Sequence, residues 1–300
     1  MDKELDLNMV KNVSEKAVLV AVDTGEYDAL KSMEELRELS FSAGAQVVAT
    51  VIQKRSSADV ATCVGEGKLS EIKTIIDFEN ADIVIFDTEL SGSQLKNIEK
   101  ALDIKVIDRT MLILDIFALR ARTSEGRLQV ELAQQKYLLP RLVGMGNSLS
   151  RQGGGIGTRG PGESMLESDR RHIREKIANI SDRLKAAEKT RELLKKKRKK
   201  DEVLTVAILG YTNVGKSTLL NYLTNAGVLC EDMLFATLDP TARSLKLPDG
   251  RNVMLIDTVG LVSRLPHMLV EAFHSTLQEA ADADLILNVC DISSPDANIQ

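Results

Sequence analysis

Apolar runs and helical stripes alternate over the first hundred residues. Residues 17–22 (Ala-Val-Leu-Val-Ala-Val) form an unbroken apolar run, and residues 46–52, 82–86 and 105–107 each open on a polar residue and continue mainly apolar. Runs of four to eight β-branched and aliphatic residues have the length and composition of buried strands. Between them, Leu30, Met33, Leu36 and Leu39 recur at helical spacing across residues 27–43, and residues 68–78 and 91–101 are patterned as helices too. Gly44 follows the first of these helices, at a position where a residue free to take a positive φ is favoured. Strands alternating with helices predict a parallel sheet covered on both faces. Asp87 and Asp108 fall at the C-terminal ends of two strands, where α/β ligands bind and where carboxylates also cap the next helix; both readings stand. The fragment Gly65-Glu66-Gly67-Lys68 lacks the remaining glycine of a dinucleotide fingerprint and reads as a turn before a helix.

From residue 111 to 142 the pattern is helical, and Leu128, Leu132, Gln135, Leu139 and Leu142 recur at steps of three and four, with Pro140 expected to kink or fray the end. Leu166, Ile173, Ile177, Ile180, Leu184, Ala187 and Leu194 keep a similar step farther on. Two such stripes joined by a loop predict an antiparallel helical hairpin packed as a short coiled coil. The joining loop, 144–162, is rich in glycine and carries Arg151 and Arg159, so it is flexible and cationic and suits a phosphate backbone.

A third pattern follows. The apolar run 203–209 leads into Gly210-Tyr211-Thr212-Asn213-Val214-Gly215-Lys216-Ser217, and a helix-like stretch starts at Thr218. This is a strand, a glycine loop and a helix, with the G-x-x-x-x-G-K-S spacing that lets backbone N–H groups converge on phosphate oxygens. Lys216 would reach the β- and γ-phosphates and the Ser217 hydroxyl would hold Mg²⁺. A further apolar strand, 252–256, ends in Asp257-Thr258-Val259-Gly260. Its aspartate can support the magnesium shell and its glycine N–H can sense the γ-phosphate, and D-T-x-G favours a GTPase over an ATPase. Between the two motifs, residues 234–243 are placed as a first switch, where Thr237 and Thr241 both qualify by spacing to complete the Mg²⁺ shell. Residues 261–278 are expected to form a second switch and its helix, with His267 and His274 as surface or packing residues. The fold class is therefore α/β: an N-terminal parallel α/β domain (1–122), a helical hairpin (123–200), and a P-loop GTPase domain with a parallel sheet (201–300).

Composition narrows the setting. The chain has 300 residues, enough for two sizeable cores. Three scattered cysteines, Cys63, Cys230 and Cys290, suit reduced thiols and a cytoplasmic location better than disulfides or a zinc site. No apolar run approaches the roughly 20 residues that span a bilayer, so membrane insertion is not expected. Aromatic content of 3% with no Trp argues against a base-stacking platform. The net charge of −5 is uneven: Ser164 to Lys200 holds 14 Lys or Arg against 6 Asp or Glu, ending in the run Lys195 to Lys200. That segment is read as either a solvated helix end or a contact for RNA.

Taken together, Gly-Tyr-Thr-Asn-Val-Gly-Lys-Ser-Thr, Phe-Ala-Thr-Leu-Asp-Pro-Thr, Asp-Thr-Val-Gly and the glycine-rich Ser-Arg-Gln-Gly-Gly-Gly-Ile-Gly-Thr-Arg-Gly-Pro-Gly-Glu resemble the HflX family of translational GTPases over nearly the whole chain. The resemblance implies that Gly210 to Ser217 and Thr218 bind phosphate and that Ser217 and Thr237 hold Mg²⁺. It further implies that Phe235, Ala236, Thr237, Leu238 and Asp239 form the first switch, and that Asp257, Thr258, Val259 and Gly260 line the γ-phosphate. Lys216, Thr237 and Gly260 would then carry catalysis, with GTP and GDP as ligands, Mg²⁺ as cofactor, and the large ribosomal subunit and its rRNA as partner of a monomer that splits stalled or idle ribosomes. A guanine-specificity motif N-K-x-D does not occur after the apolar stretch 285–289, so the chain is expected to stop within the GTPase domain. Leu261 stands where some GTPases place a water-orienting Gln, which predicts slow intrinsic hydrolysis. A nucleotide-gated adaptor for another protein or a membrane is the rival reading.

Overall fold

The computed structural model describes residues 14–145, 161–200, 203–224, 233–236, 238–239, 241–266, 269, 278 and 280–293. The first sheet comprises β1 (Lys16–Asp23), β2 (Gln46–Lys54), β3 (Ile83–Phe86) and β4 (Lys105–Asp108), all parallel and in the order β2-β1-β3-β4. Helices α1 (Ala29–Ser42), α2 (Glu66–Glu79), α3 (Gly92–Leu102) and α4 (Arg109–Arg120) connect and cover it. The two-residue period of β1 explains the layering. Ala17, Leu19 and Ala21 enter one core with α1 and α4, while Val18, Val20 and Val22 enter the other with α2 and α3.

Local chemistry sets the helix ends. Asp28 caps α1 through Lys31 N, Ser91 and Gln94 form a reciprocal capping box on α3, and Asp108 caps α4 through Met111 N. Gly65 is the N-cap of α2, so the 65–68 fragment is indeed a helix start, two residues earlier than the apolar spacing indicates. The long helical stretch divides at residues 121–123 into α4 and α5 (Ser124–Met145).

Helix α5 pairs with α6 (Pro161–Lys200), a 40-residue helix, as the hairpin reading requires. Ile180 is the one described α6 side chain that is fully buried. Helix α5 has a second buried face, Val130, Ala133 and Tyr137, which joins the core of the first sheet. Pro140 does not end α5: beyond it, Arg141 is tied to Tyr137 O at 3.0 Å and to Glu89 at 2.9 Å, and its guanidinium stacks on the Tyr137 ring. The joining loop is also shorter than expected, because Gly144 and Met145 continue α5 while Pro161 and Gly162 open α6, proline being favoured at a first helical position. Arg151 and Arg159 lie outside the described residues.

The second sheet has the order β6-β7-β5-β8, from β5 (Leu204–Gly210), β6 (Thr241–Lys246), β7 (Asn252–Asp257) and β8 (Leu285–Val289). Strand β5 runs parallel to β7 and β8, as the parallel-sheet reading expects, and β6 joins at the edge antiparallel to β7. The reason is the short turn 247–251, closed by Gly250 at φ +89°, which leaves no room for a crossover. Helix α7 (Lys216–Thr224) follows β5. Helical residues of the second switch beyond 266 fall outside the described set except at 269 and 278, and His267 and His274 are among those outside it.

The two sheets share a core. Leu234, Phe235, Leu238, Val259, Val262 and Leu269 belong to the same buried cluster as Met33, Leu36 and Phe117. Phe117 and Phe235 meet edge to face, their centroids 4.8 Å apart. Phe117→Ala is expected to cost about 3–5 kcal/mol by urea unfolding, through lost burial and the cavity left between the halves.

Candidate phosphate-binding site

The site forms where β5 ends and α7 begins. Gly210 sits at φ +152° and Gly215 at φ +93°, conformations a side chain would strain, and a Cβ on Gly210 would lie 2.3 Å from Val289 O. Non-glycine Asn213 takes φ +62° to complete the loop. The loop is stitched to the segment after β7: Thr212 N donates to Leu261 O at 2.8 Å and Leu261 N to Gly210 O at 3.1 Å. Gly260 makes that approach possible, since a Cβ there would fall 2.6 Å from Thr212 Cα.

Thr212, Asn213, Gly215, Lys216, Ser217, Thr218, Phe235, Ala236, Thr258 and Gly260 line one small cleft together with Met233. Its volume, about 60 Å³, suits a phosphate group and is well below the roughly 300 Å³ at which small-molecule pockets begin. Thr258 is fixed by donating to Ile208 O at 2.7 Å. Lys216 is buried and donates to Tyr211 O at 2.6 Å. Burial lowers its pKa to about 8, with Asp257 partly opposing the shift. Ser217 Oγ donates to Asp257 Oδ2 at 2.6 Å, whereas Asp257 Oδ1 is buried without a hydrogen-bond partner. Burial raises the Asp257 pKa. A hydroxyl beside a carboxylate with an unsatisfied oxygen is a hard-oxygen donor set and fits Mg²⁺.

Not every residue assigned by pattern points into the cleft. Leu238 and Val259 are buried in the shared core, and Asp239 is turned toward the start of α5. Thr237 lies outside the described residues. Thr241 opens β6 opposite Asp257 in the ladder.

Three stretches match known families: residues 30–118 the GTP-binding GTPase N-terminal family, residues 120–198 the GTP-binding GTPase middle region, and residues 205–300 the 50S ribosome-binding GTPase family. The GTPase HflX of Lacrimispora saccharolytica is 54% identical over 296 residues, covering 98% of this chain and 70% of that protein. The chain belongs to the HflX GTPase family. The HflX protein of Caldanaerobacter subterraneus is 57% identical over 282 residues, covering 94% of this chain and 66% of its own length. The chain thus spans about two thirds of the HflX relatives it matches. A GTP-binding protein from Sulfolobus solfataricus, solved in complex with GDP, superposes with a TM-score of 0.50 at 26% identity, covering 95% of this chain and 73% of that one.

In this HflX chain a second cluster adjoins the phosphate site, and the sequence did not reveal it. Arg264, at φ +53°, stacks 3.7 Å from the Tyr27 ring and donates to Asp87 Oδ2 at 2.9 Å and Ser32 Oγ at 3.0 Å. Arg109 donates to Asp87 Oδ1 at 3.0 Å, Glu35 at 2.6 Å and Ser263 O at 3.1 Å. Burial raises the Glu35 pKa against the pull of Arg109. Both aspartates at strand ends are buried and arginine-paired, but Asp108 caps α4 and meets Arg141 within the N-terminal half, whereas Asp87 accepts from arginines of both halves. Only the strand-end position of Asp87 hinted at this. Asp87→Asn is expected to cost about 3 kcal/mol, because it leaves Arg109 buried without its full counter-charge. Arg264→Ala, at a partly exposed position, should cost about 1 kcal/mol or less in the same urea titration.

Proposed function

We propose that the protein binds and hydrolyses GTP, associates with the large ribosomal subunit, and separates stalled or idle ribosomes into subunits. The observation that carries the reading is the cleft itself: a glycine loop, a buried lysine and the Ser217–Asp257 pair are closed on one side by residues 233–236. Family membership supports the nucleotide and the ribosome as ligands, and the GDP complex of the Sulfolobus relative supports the nucleotide. Arg151, Arg159 and the basic end of α6 supply the cationic surface for rRNA. The protein acts as a cytoplasmic monomer in this reading; no helix among the described residues is long and apolar enough to cross a membrane.

Loop amides of residues 210–217 bind the phosphates, and Lys216 stabilises the charge that builds on the transferred group. Ser217 and Thr237 would hold Mg²⁺, with Asp257 behind them; the ion neutralises phosphate charge. Gly260 presents its N–H to the γ-phosphate at a place where no side chain fits. Leu261 supplies no hydrogen bond to water, so intrinsic hydrolysis is slow and ribosome contact must order the site.

Two outcomes follow. Because a bound phosphate restores the charge that burial disfavours on Lys216, GTP affinity should be flat below pH 8 and fall with rising pH above it, approaching tenfold per unit. Lys216→Ala should bind weakly at every pH, and a steep profile in that variant would sink the assignment. Steady-state GTP hydrolysis by the complete protein should rise strongly with purified large subunits and lose that stimulation at high salt. Intact GTP binding without stimulation would instead favour an adaptor for another partner.

A further inference from the structure

Helix α5 begins under an unusual constraint. Thr123 caps it in the ordinary way, its Oγ1 accepting from Gly126 N at 2.9 Å. The cap is itself held from far along the chain. Asp239 Oδ2 accepts from Arg122 N at 2.7 Å and Thr123 N at 2.9 Å, and Oδ1 accepts from Thr123 Oγ1 at 2.6 Å. One carboxylate thereby takes up two backbone amides and the capping hydroxyl, where the helix dipole also favours negative charge.

Gly126 bears on the same contact independently. A Cβ there would fall 2.3 Å from Asp239 Oδ1, so any other residue would push the carboxylate out of this seat. Glycine is the poorest helix former after proline, and its use in the first turn of a 22-residue helix is accounted for by that approach. Around Asp239, Phe235 is locked against Phe117 and Leu238 is buried in the same core, while Ala236 lines the phosphate cleft. Ala236 is thus flanked by two anchors on the N-terminal half, Phe235 against Phe117 and Asp239 on the start of α5.

We propose that Asp239 is a positioning residue that seats the first switch over the phosphate cleft by gripping the root of α5, so that triphosphate binding and the hairpin base strengthen one another. The inference rests on the reading of residues 235–239 as the first switch. It follows by linkage: if the seated carboxylate favours the closed switch, a ligand that needs the closed switch must tighten the grip by the same factor. GDP, which does not need it, gains nothing.

The test uses the complete protein and compares wild type, Asp239→Ala, Gly126→Ala, Thr123→Ser and Lys216→Ala. Affinities are measured for GDP and for a non-hydrolysable GTP analogue with Mg²⁺, with hydrogen exchange followed at amides 122–127. The expected result is a loss of about tenfold in analogue affinity for Asp239→Ala and Gly126→Ala at unchanged GDP affinity, with Thr123→Ser near wild type. Slower exchange at 122–127 on adding the analogue should be seen in wild type and be lost in both variants. Gly126→Ala is informative because it leaves every charged group in place and improves helix propensity. Retained discrimination in Asp239→Ala and Gly126→Ala overturns the proposal, as does an equal loss of both nucleotides, which would mark Asp239 as merely structural. Failure of the broader reading looks different: wild type would bind neither nucleotide and Lys216→Ala would change nothing, and both inferences fall together.

Discussion

A buried carboxylate must be neutralised, and Asp87 draws its cations from both halves of the chain. Arg109 comes from the helix that follows β4, and Arg264 from the segment beyond Gly260. Asp87 and Arg109 are both fully buried, and Arg109 also donates to Ser263 O at 3.1 Å, so the segment carrying Ser263 and Arg264 is held to the first sheet by a buried cation as well as by partly exposed Arg264. The rest of the arrangement depends on that tie. It brings Val259, Val262 and Leu269 into the core beneath α4 and leaves Gly260 and Leu261 beside the glycine loop.

The phosphate site is therefore built from three sources of order. Strand β5 and helix α7 fix the loop; β7 brings Asp257 to Ser217; and the N-terminal half fixes the segments that close over them. Close approaches need missing side chains, at Gly210 against Val289 O and at Gly260 against Thr212. The same packing that shapes the cleft also buries its ionisable groups, which lowers the Lys216 pKa to about 8 and raises that of Asp257.

Much of this was legible in the sequence because its signals are local. The apolar run of β1, the strand-end Asp108 that caps α4, and the glycine spacing of residues 210–215 act within a few residues, and each stands where the pattern placed it. What escaped depends on distance along the chain. Strand β6 is mostly polar and exposed, and only its short turn to β7 makes it a strand. The second face of α5 shows in Val130, Ala133 and Tyr137 only once the first sheet lies beside it. Asp87 and Arg264 are 177 positions apart, and nothing near either residue names the other.

The two closing segments are held by different chemistry. Phe235 is gripped by an aromatic edge contact and apolar burial, Arg264 by charge and by stacking on Tyr27. Both residues sit at positive φ, +58° and +53°, a conformation that is costly for a side chain and persists when its surroundings impose it. Phe235 is fully buried against Phe117, whereas Arg264 is a partly exposed cation on a carboxylate that buried Arg109 also neutralises, so the apolar contact is the costlier of the two to lose. The second segment is held less by Arg264 alone than by the network it shares with Arg109, which also donates to Ser263 O.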